Sequence, residues 1–175
     1  PLVGLTVAII ITVIGLMLPA PVITAQPGDA TYFQLQTPLL FDFLAGIVRP
    51  GVSLDSINPI AFAGWVGMLV TVLNMIPIGQ LDGGHVARAV LGEWADRISR
   101  ILPVFILGFG LYTTFVMGVQ GELWIFWGLL TSIMGSGPHP KPLDDKARIG
   151  LPRAIICIIG FALTILCFTP FPISV

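Results

Sequence analysis

Five long apolar stretches restrict what this chain can fold into. A helix rises about 1.5 Å per residue, so about 20 residues cross the hydrocarbon core of a bilayer, which is about 30 Å thick. A lone strand in lipid would leave its backbone groups unpaired. We therefore predict an all-α polytopic membrane protein with about five transmembrane helices and short interfacial amphipathic helices. The predicted spans are about 1–18, 60–78, 101–118, 121–136 and 151–170 of a single membrane domain, 1–175.

The composition excludes several other classes of protein. Charged residues make up 10% of the chain, against about 25% in a typical soluble domain. The high hydrophobic content, 55%, excludes a disordered chain. Eight Lys and Arg against nine Asp and Glu create no basic field, so we expect no nucleic-acid partner. Only two cysteines occur, and both lie inside an apolar run, which excludes a disulfide scaffold.

Basic residues predict the orientation in the membrane. Loops 79–100 and 137–150, together with the adjacent Arg153, carry seven of the eight basic residues, whereas the long loop 19–59 carries only Arg49. Cytoplasmic loops of membrane proteins carry an excess of Lys and Arg. Loops 79–100 and 137–150 and the N-terminus are therefore predicted in the cytoplasm. Loop 19–59 and the C-terminus are outside, and we expect the plasma membrane.

Two short amphipathic helices are predicted outside the spans. In the outer loop, Thr37 and Pro38 indicate a helix start and Pro50 an end. This helix either lies on the outer membrane surface or packs on the bundle. Its apolar face would contain Leu39, Leu40, Phe43, Leu44 and Ile47.

The second amphipathic helix, 86–101, is predicted at the cytoplasmic interface. Its favourable i,i+4 pairs would be Glu93 with Arg97 and Asp96 with Arg100.

The stretch from Leu73 to His85 combines features that are unusual at the end of a span. Pro77 removes a backbone donor, three glycines permit irregular backbone, and Asn74 and Asp82 bring polar groups to about membrane depth. Irregular backbone is tolerated there only where protein buries it or water reaches it. A lone carboxylate costs about 2.5 to 3.5 kcal/mol on insertion scales. We therefore predict a wet, protein-enclosed cavity.

Three explanations for Asp82 remain open from the residues alone. It could pair with His85 or Arg88, it could cap a helix that starts near Gly83, or it could bind a metal. A catalytic zinc needs three protein ligands, and one Asp with one His three residues later does not supply them. The other histidine, His139, is expected to be a loop residue.

This stretch resembles a known family motif. Asn74-Met75-Ile76-Pro77, followed by Leu81-Asp82-Gly83-Gly84-His85, is similar to the Asn-x-x-Pro and Leu-Asp-Gly-Gly motif of the site-2 proteases, which are intramembrane zinc metalloproteases. The opening Pro1-Leu2 and the run Gly137-Pro138-His139-Pro140 also resemble members of that family.

The resemblance implies a role for each motif residue. Asp82 would be one zinc ligand, and Asn74 would hold substrate or the oxyanion. The supporting residues would be Pro77, Gly83, Gly84 and His85, with the glycines letting the backbone turn close to the metal.

In the family, two further ligands and the carboxylate that activates water come from a His-Glu-x-x-His helix, and this sequence lacks that motif. Since the sequence starts at Pro1 without Met, we expect that helix upstream and expect this chain alone to be inactive.

The expected function is the C-terminal part of an intramembrane zinc endopeptidase that cuts transmembrane helices near the cytoplasmic side. Its partners would be transmembrane substrates and the bilayer. One alternative is a non-catalytic membrane scaffold or partner-binding module in which Asp82 is a helix cap. A further alternative is a small transporter that uses Asp82 as a proton or cation site.

Overall fold

A computed structural model describes residues 2–19, 34–50, 57–135 and 150–174, and these are almost entirely helical. The loop predicted at 137–150, and with it His139, lies outside the described residues except for Gly150. Within the described ranges a two-residue antiparallel pair joins Gln34 to Ser174 and Leu35 to Ile173. The elements are α1 (Leu2–Met17), β1 (Gln34–Leu35), α2 (Leu39–Val48), α3 (Pro59–Met75), α4 (Asp82–Leu91), α5 (Trp94–Phe115), α6 (Glu122–Gly135), α7 (Leu151–Leu166) and β2 (Ile173–Ser174).

The predicted helical class is confirmed, but the number of spans is not. Each of the five predicted spans corresponds to one apolar helix: α1, α3, α5, α6 or α7. In the part of the chain that the structure describes, α5 alone, with 22 residues, is both long and apolar enough to cross a bilayer. The other four have 14 to 17 residues, fewer than the roughly 20 that a straight crossing needs.

The chain divides into two compact units. The discontinuous unit combines Pro1–Leu73 with Ala162–Val175, and the central unit is the continuous segment Asn74–Phe161. The two boundaries fall inside α3 and α7.

In the discontinuous unit, α1 and α3 pack with their backbones close together. A Cβ on Gly64 would come within 2.7 Å of the Thr12 nitrogen, and a Cβ on Gly15 within 2.7 Å of the Ile60 carbonyl carbon. Small residues permit this approach, as in membrane helix pairs. The buried core around the contact includes Leu5, Ala8, Leu16, Phe41, Ala61, Trp65, Met68, Val72 and Cys167.

Asn58 caps α3 as the Asn-Pro sequence indicates. Its Oδ1 accepts a hydrogen bond of 2.9 Å from the Ile60 N–H, which satisfies one of the first amides of the helix.

Helix α2 forms in the outer loop, but its expected apolar face is wrong. The buried side chains are Leu40, Phe41 and Ala45, whereas Leu39, Phe43 and Ile47 are more than 60% exposed. The helix is apolar nearly all round, so periodicity did not identify the face that packs. Pro38 is the cap rather than part of the first turn, and the Thr37 hydroxyl donates to the Asp42 carboxylate over 2.5 Å.

The predicted interfacial helix 86–101 is also wrong in its bounds. Gly92, with φ of 61°, separates α4 from α5. The second half of the predicted helix continues without interruption into the apolar run, so α5 starts at Trp94 rather than at residue 101. A positive φ is accessible to glycine at little cost, and it ends α4 at this point.

In the central unit α5 and α6 form a tight antiparallel hairpin. A Cβ on Gly110 would lie 2.5 Å from the Ile125 nitrogen, and one on Gly128 would lie 2.6 Å from the Leu107 nitrogen. Nothing lies within 4 Å of the corresponding Cβ position on Gly108. The two neighbouring glycines of α5 therefore have opposite environments.

We predict that Gly110→Ala destabilises the protein and Gly108→Ala does not. The first change forces a methyl into the α6 backbone, which typically costs about 1–3 kcal/mol. The second change replaces a glycine inside the helix where the added methyl meets nothing, and it should stabilise the helix by up to about 1 kcal/mol. The measurement is thermal unfolding of the full-length protein in detergent, and equal shifts for the two variants would contradict the described packing.

Candidate functional site

The site is built on the turn 76–81 that joins α3 to α4. Helix α3 ends at Met75 and Pro77 follows two residues later, because a proline disfavours helical backbone at the residue before it. Pro77 therefore lies just outside the helix, which ends three residues before the predicted end of this span at residue 78. Within the turn, the Leu81 N–H donates to the Ile78 carbonyl over 3.0 Å.

Gly83 and Gly84 let the first turn of α4 rest directly on backbone. A Cβ on Gly83 would overlap the Met75 carbonyl oxygen and come within 2.6 Å of the Ile76 oxygen. A Cβ on Gly84 would come within 2.8 Å of the Ile78 oxygen. Any side chain here would push α4 away from the end of α3, so both glycines are required by close approach.

Asp82 is the first residue of α4, and its side chain is exposed. The capping position belongs to Leu81, which makes no side-chain capping bond, so Asp82 is not the N-cap. A carboxylate in the first turn is stabilised by the positive end of the helix dipole. The side chain of His85, one turn later, is also exposed.

Asn74 lies in the last turn of α3 and is half-buried. The contact of Gly83 with Met75 brings the start of α4 to the end of α3. Asn74 and Asp82 are thus each one residue away from the same contact, and the structure brings the two motif halves together. The described residues do not enclose the Asp82 side chain.

The charged residues of α4 and α5 include a pair that the sequence did not predict. Arg88 forms an ion pair with Asp96 across the break at Gly92. Arg100 donates from Nε to the Asp96 backbone oxygen over 3.1 Å, and the Arg97 guanidinium lies 4.6 Å from the centre of the Trp94 ring. Pairing across a break is invisible to an i,i+4 rule, which assumes one continuous helix.

Ser99 is the site residue that sequence reasoning missed. It lies on α5, is only 2% exposed, and its Oγ accepts a hydrogen bond of 2.6 Å from the N–H of Gly79 in the turn. The available signal was a small polar residue four positions after the buried Ala95 and four before the buried Pro103, on the face of α5 that packs inward.

The described residues do not form a complete metal-binding site. Nowhere in ranges 2–19, 34–50, 57–135 and 150–174 do three or more His, Cys, Asp or Glu side chains come together to hold an ion. A catalytic zinc needs three protein ligands and an open position. Asp82 fits the role of one oxygen ligand, because its side chain is exposed at the first position of α4. The residues present do not complete the set.

Comparison with known proteins identifies relatives for most of the chain. The profile of Peptidase family M50 matches residues 1–117. The probable zinc metallopeptidase EGY3, chloroplastic, of Arabidopsis thaliana is 34% identical over 120 residues, 67% of this chain and 19% of that protein. The probable zinc metalloprotease EGY2, chloroplastic, of the same plant is 26% identical over 178 residues, 99% of this chain and 30% of that protein.

A rice protein gives the same result. The probable zinc metalloprotease EGY1, chloroplastic, of Oryza sativa subsp. japonica is 32% identical over 118 residues, 66% of this chain and 19% of its own length. This chain therefore spans about a fifth of the length of the first relatives it matches. No solved structure matches it.

The family profile covers α1, α2, α3, α4 and α5 and includes the whole turn that carries Asp82. On this match the chain belongs to Peptidase family M50, the site-2 protease family.

Proposed function

We propose that this chain is the C-terminal part of an intramembrane zinc metalloendopeptidase that cleaves transmembrane substrates. The observation that carries the proposal is the packing of Gly83 and Gly84 on the end of α3. This packing explains why Leu-Asp-Gly-Gly follows Asn-x-x-Pro at this spacing. It fixes an accessible carboxylate, Asp82, beside the polar end of an apolar helix, in a chain whose relatives are named zinc peptidases.

In this proposal Asp82 supplies one zinc ligand and the remaining ligands come from residues outside this sequence. Zinc, when bound, lowers the pKa of a coordinated water and polarises a carbonyl. The residues of this chain would position the reactants. Asp82 holds its place as the first residue of α4, and the Asn74 amide donates to substrate or to the oxyanion that develops on the scissile carbonyl. The described residues alone do not complete the site, so we propose that the chain by itself is inactive.

Exposed apolar surface supports a membrane location. On α1 and α7, many large aliphatic side chains are exposed. Soluble monomers rarely expose large contiguous apolar patches. The short apolar helices α1, α3, α6 and α7 would complete the five proposed crossings together with flanking residues. The exposed residues include Val3, Val7, Ile10, Ile14, Ile155, Ile158, Ile159 and Ile165.

The strand pair supports the proposed orientation. β1 follows the outer loop's first part and β2 is near the C-terminus, and the two pair within the discontinuous unit. This is expected if both segments lie on the same side of the membrane. The relatives are named chloroplastic, which does not support the plasma membrane, so we propose only an integral membrane location.

We predict that Asp82→Asn in the full-length protein lowers bound zinc and reduces cleavage by more than about 100-fold. Loss of a residue that hydrogen-bonds to a metal ligand typically reduces metal affinity or activity by about 10–100-fold. Loss of the ligand itself should reduce them at least as much. The matched control is Glu122→Gln, because Glu122 is also an exposed carboxylate at the first position of a helix. Metal analysis and a cleavage assay on a transmembrane substrate provide the measurements.

The same pair of variants separates the rival functions. Unchanged zinc in Asp82→Asn would refute the ligand role. Absence of zinc and cleavage in the wild-type full-length protein would favour a scaffold, and zinc-independent, pH-dependent flux in liposomes that Asp82→Asn abolishes would favour a transporter.

We predict that Asn74→Ala lowers kcat by about 100-fold while zinc content stays unchanged, because loss of one oxyanion donor typically costs that much. Asn58→Ala, at the other end of α3, is the control and should change stability rather than kcat, since Asn58 caps the helix. Loss of zinc in Asn74→Ala would contradict this assignment.

We also predict that Gly83→Ala lowers cleavage by about 100-fold, because the added methyl meets the Met75 carbonyl and displaces Asp82. Gly108→Ala makes the same chemical change in open space and should leave cleavage unchanged. Full activity of Gly83→Ala would show that the α3–α4 contact does not position the site.

A further inference from the structure

We propose that Ser99 is a positioning residue, which fixes Asp82 from α5 by holding the turn 76–81. This inference rests on the proposed zinc role of Asp82. Its central observation is the hydrogen bond of 2.6 Å from the Gly79 N–H to the Ser99 Oγ. The bond joins residues 20 positions apart in sequence and links the turn directly to α5.

The bond is energetically significant because both partners are buried. Ser99 is 2% exposed and Gly79 is also buried. A buried amide that loses its acceptor bears the full cost of its desolvation, which exceeds the net gain from an ordinary hydrogen bond. Gly79 has a φ of 45°, a backbone conformation that other residues rarely adopt. The Ser99 acceptor thus holds the turn from outside it.

Gly79 transmits this restraint to α4. Its N–H is held by Ser99, and its carbonyl oxygen lies against Gly84, where a Cβ would overlap it. Gly84 is two residues after Asp82 in the first turn of α4. A shift of Gly79 away from α5 would therefore remove one of the backbone contacts that hold the start of α4.

A second link holds the far end of α4, so Ser99 has a distinct task. The ion pair of Arg88 with Asp96 joins α4 to α5 near the break at Gly92. That pair fixes the end of α4 remote from Asp82, whereas the glycine contacts and Ser99 act on the first turn. Losing Ser99 should consequently loosen the turn and the first turn of α4 while the rest of the central unit stays folded.

The test compares Ser99→Ala, Ser99→Thr and Ser132→Ala in the full-length protein in detergent. Ser99→Thr keeps a hydroxyl acceptor. Ser132 donates to Gly128 within its own helix over 2.7 Å and serves as the control serine of the same unit. Amide hydrogen exchange of the peptide covering 76–84 reports the turn, and titration with zinc alone reports the site.

For Ser99→Ala we expect exchange in 76–84 to accelerate by at least about tenfold and the Kd for zinc to rise by about tenfold. Ser99→Thr should keep most of the wild-type protection from exchange and most of the zinc affinity. Ser132→Ala should change neither the exchange rate nor the Kd for zinc. Unchanged exchange in 76–84 would overturn the proposal, as would faster exchange without weaker zinc binding. Faster exchange throughout the central unit would make Ser99 a general packing residue and would also overturn it. If Asp82→Asn retains zinc, the proposed function itself fails, whatever the exchange measurement gives for Ser99.

Discussion

The contact between the start of α4 and the end of α3 controls everything else at the site. Gly83 brings its backbone against the Met75 carbonyl, and this is possible only because no Cβ intervenes. The same contact directs the chain away from α3 after Pro77, sets Asp82 at the first helical position and keeps Asn74 nearby. The candidate site is formed by two helix ends that are close in sequence. No side chain fits at the contact between them.

The sequence predicts much of this arrangement for physical reasons. Long apolar stretches form helices because their backbone must be satisfied internally, so every predicted span is found as a helix. Asn58, directly before Pro59, caps α3, in line with the preference for Asn at this position of a helix. The motif from Asn74 to His85 identifies both the irregular segment and the family, since polar residues and glycines at the end of an apolar helix are costly unless they serve a site.

The remaining features depend on contacts that no local pattern encodes. The face on which α2 packs was mispredicted because Leu39 and Leu40 are equally apolar, and only the neighbouring helices decide which is buried. The break at Gly92 was missed because a single helical glycine is often tolerated. Ser99 was missed because its partner is a backbone amide 20 residues away in sequence. The number of spans is not confirmed for a similar reason, since flanking residues and the local bilayer thickness decide whether a helix of 16 residues can cross a bilayer.

The discontinuous unit has a consequence for biogenesis. Its two parts are separated in sequence by the whole central unit, and β2 pairs with β1 only after α7 has emerged. A ribosome delivers the chain from the N-terminus onward, and domains generally fold as they are completed. The central unit, with Asp82 and Ser99, is therefore complete in sequence before the last strand of the discontinuous unit is synthesised.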